Sequence, residues 1–170
     1  MRKFMKTIHL ISTFIVVYLS SLMGNCLTQD GNDIEAEALK KNIVGKIYIH
    51  NLTGKSECNK TRIRYLGTIR TNKGKCYKIL TAFYVIGNSC RGNSSIKIYD
   101  MKNKYVGHYY VGMAYELPDH LNNNRLLFLE KSEECNVRKN FSIDLAKGLP
   151  SNIFIPCSKN NGNIYNFSSE

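Results

Sequence analysis

The chain lacks the short signatures that mark most enzymes. It has no H-E-x-x-H or C-x-x-C spacing for metal or redox chemistry and no G-x-S-x-G nucleophile elbow. The stretch GKSECNKT around Lys55 lacks the first glycine of a phosphate loop at the required distance. No catalytic residue, metal site or cofactor can be nominated on these grounds. Tryptophan is absent, and tyrosine, with 11 copies, is the leading aromatic. There is no Pro- or Gly-rich linker and no obvious internal repeat, so nothing divides the chain after its leader. His108, in YVGHYYVG, has the chemistry of a general base, although a strand histidine with a local hydrogen bond is the commoner outcome. Glu116, Asp119 and His120 in YELPDH form the densest titratable group, in a segment whose Pro118 and Asp119 are ordinary turn residues.

Charge is missing from one early stretch. The run from Ile8 to Met23, IHLISTFIVVYLSSLM, holds no Asp, Glu, Lys or Arg and follows Arg2, Lys3 and Lys6. Its 16 residues are interrupted by His9, Ser12, Thr13, Ser20 and Ser21. A transmembrane helix needs about 20 apolar residues, so the layout is that of an export signal. Three cleavage frames compete: after Gly24, after Cys26, or immediately before Cys26. The last frame resembles the bacterial lipoprotein signal, in which a hydrophobic residue and two small ones precede a cysteine that becomes the lipidated N-terminus. Here the four are Met23-Gly24-Asn25-Cys26, with Asn25 in place of the usual small residue. The resemblance covers residues 1–26. It implies lipid attachment at Cys26, a membrane contact through that lipid, and a place in the cell envelope.

Three segments follow: a signal peptide over 1–25, an acidic tether or short helix over 26–39, and a single β-rich domain over 40–170. The tether holds Asp30, Asp33, Glu35 and Glu37 and no Lys or Arg. Asp33 before IEAEALKK has the look of a helix N-cap. Acid is then scarce again. Residues 40–104 carry 15 Lys and Arg against Glu57 and Asp100, a net of +13, whereas residues 105–170 carry six against seven. A positive field so concentrated attracts polyanions. Anionic glycan, lipid headgroups or an envelope protein are the expected partners, and nucleic acid is not.

Hydrophobic periodicity after residue 40 is mostly two. Strands are expected over 45–51, 61–71, 75–87, 94–100, 104–112, 125–131, 140–146, 152–158 and 163–168. Turns are expected at MKN, HLNNN, KGLPS and KNNG. Roughly eight or nine strands at this spacing imply an all-β antiparallel sandwich or barrel. In 61–71, Ile63, Tyr65 and Ile69 alternate with Arg62, Arg64 and Arg70, which makes the three arginines candidate anion-binding residues on one wet face. Lys78, Lys97 and Tyr99 join that face if the neighbouring strands pair in order. The run 75–87 is apolar on both faces, as in a strand buried on both sides.

If 61–71 and 75–87 form a hairpin, paired residue numbers sum to about 147, which sets Cys58 opposite Cys90 and strands Cys76 beside the turn. The expected bridges are Cys58–Cys90 and, across a 140–146/152–158 hairpin, Cys135–Cys157, with Cys76 a free buried thiol. Such bridges suit an exported chain. An alternative stays open. Asn51, Asn59, Asn93, Asn140 and Asn166 all begin N-x-S/T acceptors, and a secreted disulfide-bonded N-glycoprotein in which Cys26 is structural would use them. A third, weaker reading is an envelope-polymer hydrolase working through His108 or the Glu116–His120 loop.

Overall fold

The computed structural model describes residues 31–51, 58–87, 89–129, 140–158 and 161–169. Cys26, Cys135 and the first part of the expected tether lie outside them. Residues from Gly31 onward form one compact unit. It opens with helix α1 (Gly31–Lys41) and continues as strands β1 (Ile47–Asn51), β2 (Lys60–Arg70), β3 (Cys76–Ile86), β4 (Arg91–Tyr99), β5 (Tyr105–Val111), β6 (His120–Asn122), β7 (Arg125–Phe128), β8 (Phe141–Asp144), β9 (Asn152–Ser158) and β10 (Asn161–Ser168). A seven-stranded antiparallel sheet has the order β1-β2-β3-β4-β5-β10-β9, and a three-stranded one has the order β6-β7-β8. The large sheet ends in two edges, β1 and β9, so it does not close into a barrel. The all-β expectation holds, in sandwich form and with ten strands among the described residues.

Each face of the large sheet has its own core. On one face, Leu66, Ile69, Ile79, Ile96, Ile98, Tyr109, Val111, Ile153 and Ile155 pack with Leu126, Phe128 and Leu145 from the small-sheet segment. On the other, Ile63, Tyr65, Leu80, Ala82, Tyr99 and Tyr48 pack under Ile34, Ala38 and Leu39 of α1. Each fully buried Ile or Leu contributes about 1.5–3 kcal/mol, so both cores matter to stability. The helix spacing explains its seat: 34 and 38, like 35 and 39, lie one turn apart and share the sheet-facing stripe. Asn42, at φ 50°, stops the helix by donating its N–H to Ala38 O at 3.0 Å. Asp33 falls inside the helix, not at its N-cap, because helical backbone already begins at Gly31.

One irregularity corrects several expectations. The β2–β3 register shifts by one between Tyr65 and Gly67. Such a bulge reverses side-chain alternation beyond it. Ile63 and Tyr65 therefore face α1 while Ile69 faces the small sheet, and the Tyr65 and Thr68 hydroxyls meet at 2.9 Å. Gly67 has φ 134°, and a Cβ there would meet Leu121 Cδ2 at 3.3 Å, so this position favours glycine. The register also departs slightly from the expected one, since Arg70 faces Cys76 and Lys60 faces Val85. Further along, β8 pairs with β7 and β9 with β10, so 140–146 and 152–158 belong to different sheets and are not a hairpin. His120–Asn122, expected as turn, is a short strand, and the turn proper is Asn123-Asn124, both at positive φ as a two-residue type I′ hairpin requires.

The Cys58–Cys90 disulfide is present, with Cα atoms 4.8 Å apart. It ties the start of β2 to the β3–β4 turn, where Asn59 Oδ1 also accepts the Gly87 N–H at 2.8 Å. Cys157 is disulfide-bonded too, and its partner lies outside the described residues, which leaves Cys26 or Cys135. Cys76 is free, as expected, but half-buried instead of buried, because it opens β3 beside the exposed residues 72–75. The Cys58–Cys90 loop spans 32 residues, for which chain entropy gives about 3–4 kcal/mol. Urea unfolding of a Cys58→Ser/Cys90→Ser variant is expected to show a loss of that order. Cys76→Ser is expected to cost less than about 1 kcal/mol, within the usual range for a site away from any core or bridge.

Candidate functional site

The arginines of the expected anion-binding face do not act together. Arg62 and Arg64 pair with Phe83 and Thr81 on the small-sheet side, beside a cleft of about 60 Å³ that Ala114, Leu117 and Pro118 complete. That is far below the roughly 300 Å³ of a ligand pocket. Arg64 is partly committed, since its Nη1 donates to Asp119 O at 3.0 Å. Arg70, past the bulge, sits exposed at the far end of β2. Lys78, Lys97 and Tyr99 lie on the opposite, helix-side face. Lys78 is buried there and donates to Leu39 O at 3.3 Å and Asn103 Oδ1 at 2.7 Å, tying the end of α1 to the β4–β5 turn.

The other candidates separate as well. Glu116 ends a 3-10 turn (Ala114–Glu116) and is 4% exposed. Its carboxylate accepts from Met113 N at 2.8 Å, Asn163 Nδ2 at 2.9 Å and Tyr165 OH at 2.7 Å, which pins the turn to β10. Burial first and the Glu116 hydrogen bond second push the Tyr165 hydroxyl up to about 12. Asp119 Oδ2 instead accepts from Leu129 N at 2.8 Å, and His120 is exposed on β6. Glu116 holds β10 side chains and the Met113 amide, Asp119 holds the Leu129 amide, and His120 faces solvent. They do not converge as an acid, a base and a nucleophile would.

Polar chemistry converges elsewhere, at the seam between α1 and the sheet. Glu35 is 5% exposed, yet it comes from the segment that composition assigns to a tether. Lys97 Nζ donates to Glu35 Oε1 at 2.6 Å, Tyr84 OH donates to the same oxygen, and Tyr99 OH donates to Oε2. The Lys97 ammonium also lies 5.3 Å from the Tyr84 ring centroid. Both tyrosine hydroxyls titrate well above their ordinary range, first because they are buried and then through Glu35, whose hydrogen bond an ionised phenol would lose and whose charge it would face. Next to them, Tyr105 OH and His108 Nδ1 share a hydrogen bond at 2.5 Å, and burial raises the Tyr105 hydroxyl. His108 is thus the half-buried strand histidine with a local partner. The sequence could have shown this site only through the i, i+4 pairing of Glu35 with apolar Leu39 inside a stretch that otherwise reads as solvated.

Cations gather at a third place. The β2–β3 and β4–β5 turns lie at the same end of the large sheet and share one design. Thr71 N bonds Lys75 O and Gly74 N bonds Thr71 O in one turn; Asp100 N bonds Lys104 O and Asn103 N bonds Asp100 O in the other. Gly74 and Asn103 take the positive φ that each turn needs. The loop after β8 joins them through Asn72 N to Ala146 O at 2.7 Å. Arg70, Lys73, Lys75, Lys102, Lys104 and Lys147 are all exposed along this end. The acid within the two turns is Asp100, whose Oδ1 is used on the Lys102 and Lys104 amides. Among the described residues, no cluster of metal-binding side chains occurs.

No protein family, curated protein or solved structure matches this chain.

Tyr84 and Tyr99 give the seam a measurable signature. Their raised values mean that the fold favours the protonated phenol. This contribution is complete below about 10, the unfolded value, and is lost as pH rises above it. Absorbance titration is expected to show these tyrosines ionising only with alkaline unfolding. Glu35→Gln is expected to bring them part of the way back, because burial, the larger cause, remains. Ionisation of every tyrosine near pH 10 in the folded protein would contradict the seam.

Proposed function

We propose that this chain is an exported, lipid-anchored domain of the cell envelope that binds an anionic partner through the cationic end of its large sheet. One observation carries the reading: Arg70, Lys73, Lys75, Lys102, Lys104 and Lys147 are exposed at one end of the sheet, where the acids beside them are Asp100, held by the Lys102 and Lys104 amides, and Asp144, held by Ala146 N and Arg125. Opposed ion pairs would cancel such a field, and among the described residues the pairs Lys41–Glu37, Lys97–Glu35 and Arg125–Asp144 include none of these six cations. The turns are held by their own hydrogen bonds, so the charges are presented by a stiff frame. Export is supported by the charge-free run behind Arg2, Lys3 and Lys6 and is consistent with the Cys58–Cys90 bridge. Lipid attachment rests on the resemblance at Met23 to Cys26. The binding role takes precedence over catalysis because His108, Glu116, Asp119 and His120 do not form one constellation.

A secreted N-glycoprotein is the second reading, favoured by the exposure of Asn51, Asn140 and Asn166. Against it, Asn59 uses its side-chain oxygen on Gly87 N, and Ser95 of the Asn93 acceptor is buried. Intact mass decides between the two. The expected species begins at Cys26 and carries acyl chains, whereas an unacylated chain bearing glycan would replace the lipoprotein reading.

Binding to a polyanion is expected to weaken steeply with salt, with a slope of about one per contacting cation in a plot of log K against log salt. Alanine at Lys73, Lys75, Lys102 and Lys104 together is expected to remove most of that slope, while Arg62→Ala/Arg64→Ala leaves it nearly unchanged. Affinity indifferent to the four lysines would overturn the assignment of the surface.

A further inference from the structure

Two cavities open on the helix-side face of the large sheet and meet at the same two side chains. The larger, about 430 Å³, lies between α1 and the β4–β5 turn, and the smaller, about 220 Å³, lies further along β4 and β5. Lys97 and Tyr105 line both. Together they make a trough that starts at Asn103, within one of the cationic turns, and runs to Tyr110, which is 52% exposed. The larger volume alone falls in the range of small-molecule pockets, about 300–1,000 Å³.

We propose that this trough seats a sugar unit of an anionic polysaccharide whose charged groups lie along the cationic end of the sheet. The inference rests on the function proposed for that end and names the ligand class it serves. Lys97 carries three N–H donors. One donates to Glu35 Oε1 at 2.6 Å, and the ammonium packs over the Tyr84 ring, while the remaining donors stand where the two cavities join. Donors so placed suit the oxygens of a hydroxyl-rich ring. Glu35 balances the Lys97 charge, so the trough itself does not select an anion; a bare phosphate or sulfate would meet a carboxylate as well as an ammonium. Charge selection is left to the turns. Tyr105 and Tyr110 supply apolar ring surface for the C–H faces of a pyranose, and Asn93 adds an amide at the far end. An acyl chain fits this lining poorly, because it would strip solvent from Lys97 and Asn93 and return no hydrogen bond.

The test uses three probes on the full mature protein: a uronic-acid oligosaccharide, a neutral oligosaccharide of the same ring size, and inorganic polyphosphate matched in charge to the first. Isothermal titration is expected to give at least tenfold tighter binding of the uronate than of the polyphosphate. Tyr110→Ala removes an exposed ring and leaves both cores intact; it is expected to weaken both sugars about tenfold and to leave polyphosphate and the salt slope unchanged. Lys97→Met is expected to act in the same direction, but it also strands Glu35, so Tyr110→Ala carries the test. Equal affinity for uronate and polyphosphate, or sugar binding indifferent to Tyr110→Ala, would overturn the trough while leaving the cationic surface standing. Tight, salt-independent binding of the neutral sugar would overturn the anionic character of the ligand and the function proposed for the turns, and keep the sugar seat.

Discussion

The extra residue in β2 is the constraint from which the layer structure follows. A strand with uninterrupted alternation serves one core with one set of side chains. The shift between Tyr65 and Gly67 lets the first half of β2 supply Ile63 and Tyr65 to the helix side and the second half supply Ile69 to the small-sheet side. The small-sheet segment is held at that second half: Asn124 Oδ1 accepts the Arg70 N–H at 2.9 Å, and just past β2 Ala146 O accepts from Asn72 N at 2.7 Å. The first half is left for α1 to cover. Without the shift, Ile69 would compete with the helix for the same face, and the segment carrying β6, β7 and β8 would lose a central contact.

The helix side is completed by polar groups as much as by apolar ones. Burying Glu35 carries a desolvation cost of several kcal/mol, which its attraction to Lys97 offsets only when the remaining lone pairs are also used. Both carboxylate oxygens are used, by one ammonium and two phenols. Such a network contributes little net stability compared with a well-packed apolar seam. It does fix the rotation and height of α1, since a slide by one residue would leave a charge stranded. The Lys78 bridge from Leu39 O to Asn103 acts in the same sense at the other end of the helix. The helix therefore sits in one register, and the trough beside it keeps its shape.

Much of the fold is legible in the sequence because strand pairing here is mostly between neighbours. Alternation and turn residues locate most of the strands to within a few positions, and hairpin arithmetic brings Cys58 to Cys90 even though the register is off by one or two. Asparagine frequency also carries information: of the six non-glycine residues at positive φ among the described residues, Asn42, Asn59, Asn103, Asn123 and Asn124 are five. What is not legible depends on events that leave no local trace. A bulge changes the face of every residue after it without changing the pattern, so the three arginines read as one row and are two groups. The change of partner between β8 and β9 moves a strand to another sheet across a short loop of ordinary composition. Glu35 reads as solvated because its neighbours Glu37, Lys40 and Lys41 are, and only the three-dimensional placement of Tyr84, Lys97 and Tyr99 makes it interior.

The two ends of the large sheet are closed in different ways. At one end a disulfide and the Asn59–Gly87 hydrogen bond close β2 onto the β3–β4 turn, where they limit fraying. At the other, the chain reverses twice through tight turns whose side chains satisfy their own backbone: Thr71 Oγ1 accepts from Lys75 N, and Asp100 Oδ1 from Lys102 and Lys104. With the backbone needs met internally, the lysines on these turns are free of structural duty. On the function we propose, the exposed cations of these turns, next to a trough lined by tyrosine and Lys97, serve a ligand that brings both negative charge and hydroxyl-rich surface.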